Sequence, residues 1–276
     1  MDKSKIKSFI ILLLAIVNLF LLTIVFSNAR TDRIAKDYRD TALRSVLESN
    51  GISMSKDILL PEKMLSSISL TRDLDKEHQM VSKLIGSCEV IDKGGNIMFY
   101  SGEDGQAIFR GTGAFEILLN SDSMLMGSNP INTCEAALNK LGIKYFSKSV
   151  EVINSGGNTS VIMECAFKKT RIYNAEIRFD FSGNRLLLIY GTHPLDVETT
   201  VQSPETYPDT ATILMSFLQY VRETGEVCSE IESIDLGYFS TAVVSGSSSL
   251  RPIWCIETDS GKYFFDGRTG KPENLE

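Results

Sequence analysis

The chain has 276 residues, enough for one large domain or two small ones at a common ~100–150 residues each, and its 43% hydrophobic and 23% charged content suits a folded rather than a disordered protein. Lys3, Lys5 and Lys7 against Asp2 make residues 1–8 +2, so a net charge of −7 leaves −9 for the remainder, an acidic balance that excludes nucleic acid as a natural partner. Cys88, Cys134, Cys165, Cys228 and Cys255 include no C-x-x-C pair, which removes the usual zinc and thioredoxin-like patterns.

Taken in chain order, residues 1–8 read as a cytoplasmic tail and residues 9–28 as a transmembrane helix. Phe9–Phe26 carries no charge, and as a helix it spans about 27 Å, close to the ~30 Å hydrocarbon core. The lysines before it place the tail inside and everything after Asn28 outside the cell. Ser27-Asn28-Ala29 also offers a signal-peptidase site, but the apolar run exceeds the usual ~7–15 residues of a cleaved signal, so a retained anchor is expected. Ile11, Ala15, Asn18, Leu22 and Val25 recur at helical spacing, a seam that binds a partner helix. The Asn18 amide adds a hydrogen bond across such a seam, typically worth ~0.6–2 kcal/mol, or is simply tolerated in an otherwise apolar segment.

Beyond the anchor, Ile34, Tyr38, Ala42 and Val46, with Leu43 and Leu47 beside them, predict an amphipathic helix that stops at Asn50-Gly51. Residues 52–61 read as extended. Cys88–Asp92 and Ile97–Tyr100 read as a hairpin followed by Gln106–Arg110, and the Gly-, Ser- and Asn-rich stretch 111–130 as a link. The later half shows a degenerate repeat of one helix followed by antiparallel strands. Its first copy has a helix near Thr133–Leu141 and strands around Val150–Asn154, Ser160–Lys168, Ile172–Phe181 and Arg185–Tyr190. Its second has a helix near Thr210–Glu223 and strands around Ile231–Val244, Arg251–Thr258 and Lys262–Asp266, with Pro194–Pro208 as connector. The expected fold is therefore α+β: an N-terminal transmembrane helix followed by two α+β lobes, each with its helix packed on an antiparallel sheet. The expected units are 29–125 and 126–276.

Residue types that carry chemistry are sparse. His78 lies in the charged run Asp75-Lys76-Glu77-His78, which reads as a solvated face, and His193 precedes Pro194 in a turn. Neither joins a Ser–His–Asp order, a zinc helix or a phosphate-cradling loop. Glu230 and Glu232 alternate with Ile231 and Ile234 as on a solvent edge, and Trp254 reads as core packing. An odd cysteine count outside a cell allows one bridge and leftovers. Cys165 and Cys255, however, lie in apolar runs where cysteine packs as a small hydrophobe, so five reduced packing residues are expected. No catalytic group, cofactor, metal or small-molecule substrate is expected.

The opening Met1-Asp2-Lys3-Ser4-Lys5-Ile6-Lys7 before an apolar run resembles the start of the YycI family. The close, Leu250-x-Pro252-x-Trp254 and Gly261-x-Tyr263-x-x-Asp266-x-x-Thr269-Gly270, resembles the end of YycI and of PepSY-type modules. Lys3 stands where that family often has tryptophan, and residues 60–130 match no such pattern. The resemblance implies a non-enzymatic, membrane-anchored regulator of the YycFG/WalKR two-component system. Such a protein binds the sensor histidine kinase YycG, or WalK, together with a YycH-like companion, and so acts on cell-wall metabolism. The alternative it implies is a PepSY-like inhibitor or chaperone module acting on an envelope peptidase.

Overall fold

The structure is a computed structural model that describes residues 18, 35, 37–61, 64–120, 124–127, 129–194, 196–202, 207–243 and 247–273. The chain divides into two compact units between Ser55 and Lys56.

In the first unit, helix α1 (37–49) ends where Gly51 takes a left-handed φ of 81° and the Ile52 N–H reaches back to the Leu47 carbonyl at 3.0 Å. A two-residue strand, β1 (Ser53–Met54), follows, and Arg44 donates to the Met54 carbonyl at 2.9 Å. Leu43 and Leu47 are the buried residues of α1, whereas Tyr38, Ala42 and Val46 are exposed. Two apolar i, i+4 rows run side by side in this sequence, and periodicity alone does not choose between them.

The expected transmembrane helix is not found: among the described residues no helix is long and apolar enough to cross a membrane. Of residues 9–28 only Asn18 is described, and it is helical and exposed.

The second unit corrects the expectation of two α+β lobes. It is mainly one large mixed sheet made of β2 (Ser67–Arg72), β3 (Cys88–Asp92), β4 (Ile97–Gly102), β5 (Gly105–Arg110), β6 (Ala114–Leu119), β7 (Tyr145–Ser155), β8 (Asn158–Phe167), β9 (Thr170–Ser182), β10 (Arg185–Thr192), β11 (Asp196–Gln202), β12 (Glu230–Val243), β13 (Ser247–Thr258), β14 (Gly261–Asp266) and β15 (Pro272–Glu273). The helices are α2 (Leu74–Ile85), α3 (Pro130–Leu141) and α4 (Thr210–Thr224). The strands run β11-β2-β13-β12-β9-β10-β6-β5-β4-β3, with β14 and β15 added beside β13, and β8 and β7 beside β9.

Two joints make the sheet continuous. β2, from early in the chain, lies antiparallel between β11 and β13, and β12 meets β9 in parallel at Tyr238 and Ile172. Sequence order alone suggests that each helix closes its own sheet, and long-range insertions of this kind are what it hides. The stretch 111–130 also contains strand β6, whose residues alternate buried and exposed, and the Pro194–Pro208 connector contains β11.

Local chemistry fixes the helices. Asp73, Asn129 and Asp209 cap α2, α3 and α4 by accepting the N–H groups of Lys76, Ile131 and Thr212, and Gly142 and Gly225 end α3 and α4 in left-handed geometry. α2 and α3 cover one face of the sheet. Val81, Leu84, Ile85, Ala137 and Leu138 pack there with Tyr100, Phe109, Phe115, Ile117, Phe179 and Ile189 in a core that runs from Ile68 to Leu250. Each fully buried aliphatic or aromatic side chain contributes roughly 1.5–3 kcal/mol of transfer free energy.

Candidate functional site

The residues behind the C-terminal resemblance assemble on β13, β14 and the turn that follows. β13 and β14 pair antiparallel from Ile253↔Asp266 to Thr258↔Gly261. At the end of β14 one carboxylate oxygen of Asp266 accepts the N–H groups of Arg268 (2.9 Å) and Thr269 (2.8 Å) and the Thr269 hydroxyl (3.1 Å). Its other oxygen takes Arg251 Nη1 at 2.9 Å, while Arg251 Nη2 reaches Glu273 at 3.0 Å. Gly270, at φ 70°, lets the chain double back so that its N–H reaches the Asp266 carbonyl at 2.8 Å. Asp266, Thr269 and Gly270 thus build a turn, and Arg251 ties that turn to β13 and β15. Trp254 is fully buried, in keeping with its expected packing role.

Helix α4 lies against this hairpin. Phe217 meets the rings of Tyr263 and Phe265 at 5.2 and 6.3 Å, and Tyr220 meets the same rings at 6.0 and 6.3 Å, all inclined edge to face. Beside them opens a groove of about 290 Å³ whose walls include Tyr220, Tyr263, Phe265 and Pro272, with Glu226, Lys262 and Glu273 as its charged groups. Tyr263 shares a 3.1 Å hydrogen bond with Ser260. At the far turn the Asp259 carboxylate accepts the N–H groups of Glu230 and Ser229, which hold it below the usual carboxylate range. The groove thus offers ring faces together with both signs of charge.

A second polar cluster, which the sequence reading misses, lies under α2. Glu77 belongs to the run expected to be solvated, yet only 1% of its side chain is exposed. Arg72 grips it through two 2.8 Å bonds and also donates to the Asn96 carbonyl, while the buried Tyr100 hydroxyl donates to Glu77 at 2.7 Å. Burial first, and the bond to Glu77 second, raise the Tyr100 pKa well above its ordinary value. His78 stacks on Tyr100 with its Nε2 3.3 Å from the Cys88 carbonyl, and Ser82 Oγ lies 3.3 Å from Cys88 Sγ. The signal for this cluster was Arg72 five residues before Glu77, one on a strand end and one in the first turn of the next helix.

His193 stands apart from that cluster. Its ring is desolvated, and burial pushes its pKa down to about 4. All five cysteines are free thiols; burial raises Cys255 to about 11 and Cys134 to about 12. Glu230 and Glu232 are exposed, and among the described residues no group of His, Cys, Asp and Glu is arranged to hold a metal ion. Of the expected seam, Ile11, Ala15, Leu22 and Val25 lie outside the described residues.

No protein family and no curated protein matches the sequence. One solved structure, an uncharacterized protein from Eubacterium rectale ATCC 33656, is similar at a TM-score of 0.48 and 10% identity, over 82% of this chain and 91% of that one.

Proposed function

We propose that the chain is a non-enzymatic regulator, held at the cell membrane with its folded part outside. In this reading it binds and modulates a sensor histidine kinase of cell-wall metabolism together with a YycH-like companion. The observation that carries the reading is the groove beside α4, walled by Tyr220, Tyr263 and Phe265 and framed by the hairpin whose residues resemble the YycI close. Rigid aromatic rings that supply contact area at little entropic cost, next to charges of both signs, are the chemistry of a protein-binding surface. The uncharged sequence Phe9–Phe26 supports a membrane location.

Co-purification from membranes tests the proposal. The full chain is expected to bring down the kinase and the YycH-like protein, and Glu226→Lys at the groove to reduce their recovery about tenfold, the effect of ~1.4 kcal/mol. Recovery of neither protein sinks the reading. The alternative, an inhibitor or chaperone of an envelope peptidase, draws on the same groove as a seat for a peptide, and recovery of a peptidase in place of the kinase decides for it.

A further inference from the structure

The face of the sheet opposite α2 and α3 carries a row of side chains that is symmetric about β10. Register across the strands places Ile108 (β5), Glu116 (β6), Tyr190 (β10), Arg178 (β9) and Ile162 (β8) side by side. Read outward from Tyr190, one strand away stand Glu116 on one side and Arg178 on the other, and two strands away stand Ile108 and Ile162. In the next row Arg110 follows Ile108 on β5 and Glu164 follows Ile162 on β8, opposite charges two strands to either side of β10, while Ala114 and Glu176 stand one strand away. Glu116 is exposed, Arg178 is 44% exposed and held by Glu176 at 2.8 and 3.0 Å, and Leu118, one row further, is 54% exposed.

We propose that this face is the contact between two copies of the chain. A two-fold axis lying along β10 between two such faces reverses left and right. It therefore sets Glu116 of one copy over Arg178 of the other, Arg178 over Glu116, and Ile108 over Ile162, while Tyr190 meets its own counterpart. Strands ~4.8 Å apart put Glu116 and Arg178 about 10 Å from each other, and facing sheets pack ~10 Å apart, a gap that these side chains span. From β4 to β7 the face is about 30 Å wide, room for the ~800 Å² that each partner contributes to a stable interface. A foreign partner needs no such mirror order; a second copy does. The proposal does not rest on the groove beside α4, which lies elsewhere on the sheet.

The test is charge exchange in the full chain, kept in non-ionic detergent and measured by sedimentation across a concentration series. The wild type is expected to dimerise. Glu116→Arg and Arg178→Glu are each expected to weaken the dimer tenfold or more, since each creates two like-charge contacts about the axis, and the double variant to recover to within about threefold. Circular dichroism and melting of each variant report that the fold is kept. A wild type that stays monomeric at ~100 µM, weaker than the micromolar association that such an area commonly supports, overturns the proposal. So do single reversals that leave the dimer unchanged, or a double variant no stronger than the singles.

Discussion

At the scale of single residues, the Arg72–Glu77–Tyr100 cluster has the clearest energetic consequence. A buried ion pair adds little net stability, but removing one partner strands the other charge in a desolvated site at a cost of about 3–5 kcal/mol. Arg72→Met is therefore expected to destabilise by about that amount, and Arg72→Met with Glu77→Leu by clearly less, as read from denaturant unfolding. Equal losses in the two variants would show that the pair is not a closed unit. His193 gives a pH signature. Its pKa is about 4 when folded and about 6.5 when unfolded, so between these values the unfolded chain binds more protons and stability falls as pH drops. The His193 contribution to this loss is on the order of 2 kcal/mol between pH 7.5 and 5, and His193→Gln is expected to flatten the stability–pH curve by that much. A slope unchanged by the substitution contradicts the assignment. Both features are easy to miss in the sequence: Glu77 looks like surface in the run Asp75-Lys76-Glu77-His78, and its spacing from Arg72 gains meaning only once the strand that ends there is in place.

At the scale of elements, legibility followed the range of the forces involved. The helices near Thr133–Leu141 and Thr210–Glu223 and the strands β7–β10 are legible because helical periodicity and strand alternation are local signals. The run Asp75–His78 reads as a solvated helix face and hides the buried side of α2, and β6 and β11 lie in stretches that read as connections. The placement of β2 between β11 and β13 depends on partners far away in the chain. Of the candidate site, Trp254 and the Asp266 turn were visible as short motifs, whereas the groove was not, because Tyr220 and Tyr263 meet only once α4 lies on β14. One element pair makes a sharp prediction. Gly191 on β10, at φ 157°, comes so near β9 that an added Cβ would stand 2.0 Å from the Glu176 carbonyl oxygen. Gly191→Ala is expected to cost about 2 kcal/mol or more through strain at that pairing, while Gly127→Ala, which meets open space, should be close to neutral. Thermal melting of the two variants checks this, and equal melting points would contradict the close approach.

At the scale of the whole molecule, the sheet spreads work between its faces. One is closed by α2 and α3 over the core, and the opposite face keeps the partly exposed row about Tyr190. The aromatic groove is built where α4 meets β14. In the proposed reading these are separate surfaces, one for a second copy of the chain and one for a partner, and that reading stands or falls on the partner. The most direct test places a photo-activated cross-linking side chain at position 262, on the groove, in the full-length chain in living cells. The account expects a cross-linked product that contains the sensor histidine kinase or the YycH-like protein, and at least tenfold less of it from position 232, on the exposed start of β12. A folded chain at its normal level that yields neither product, or yields both equally from position 232, contradicts it.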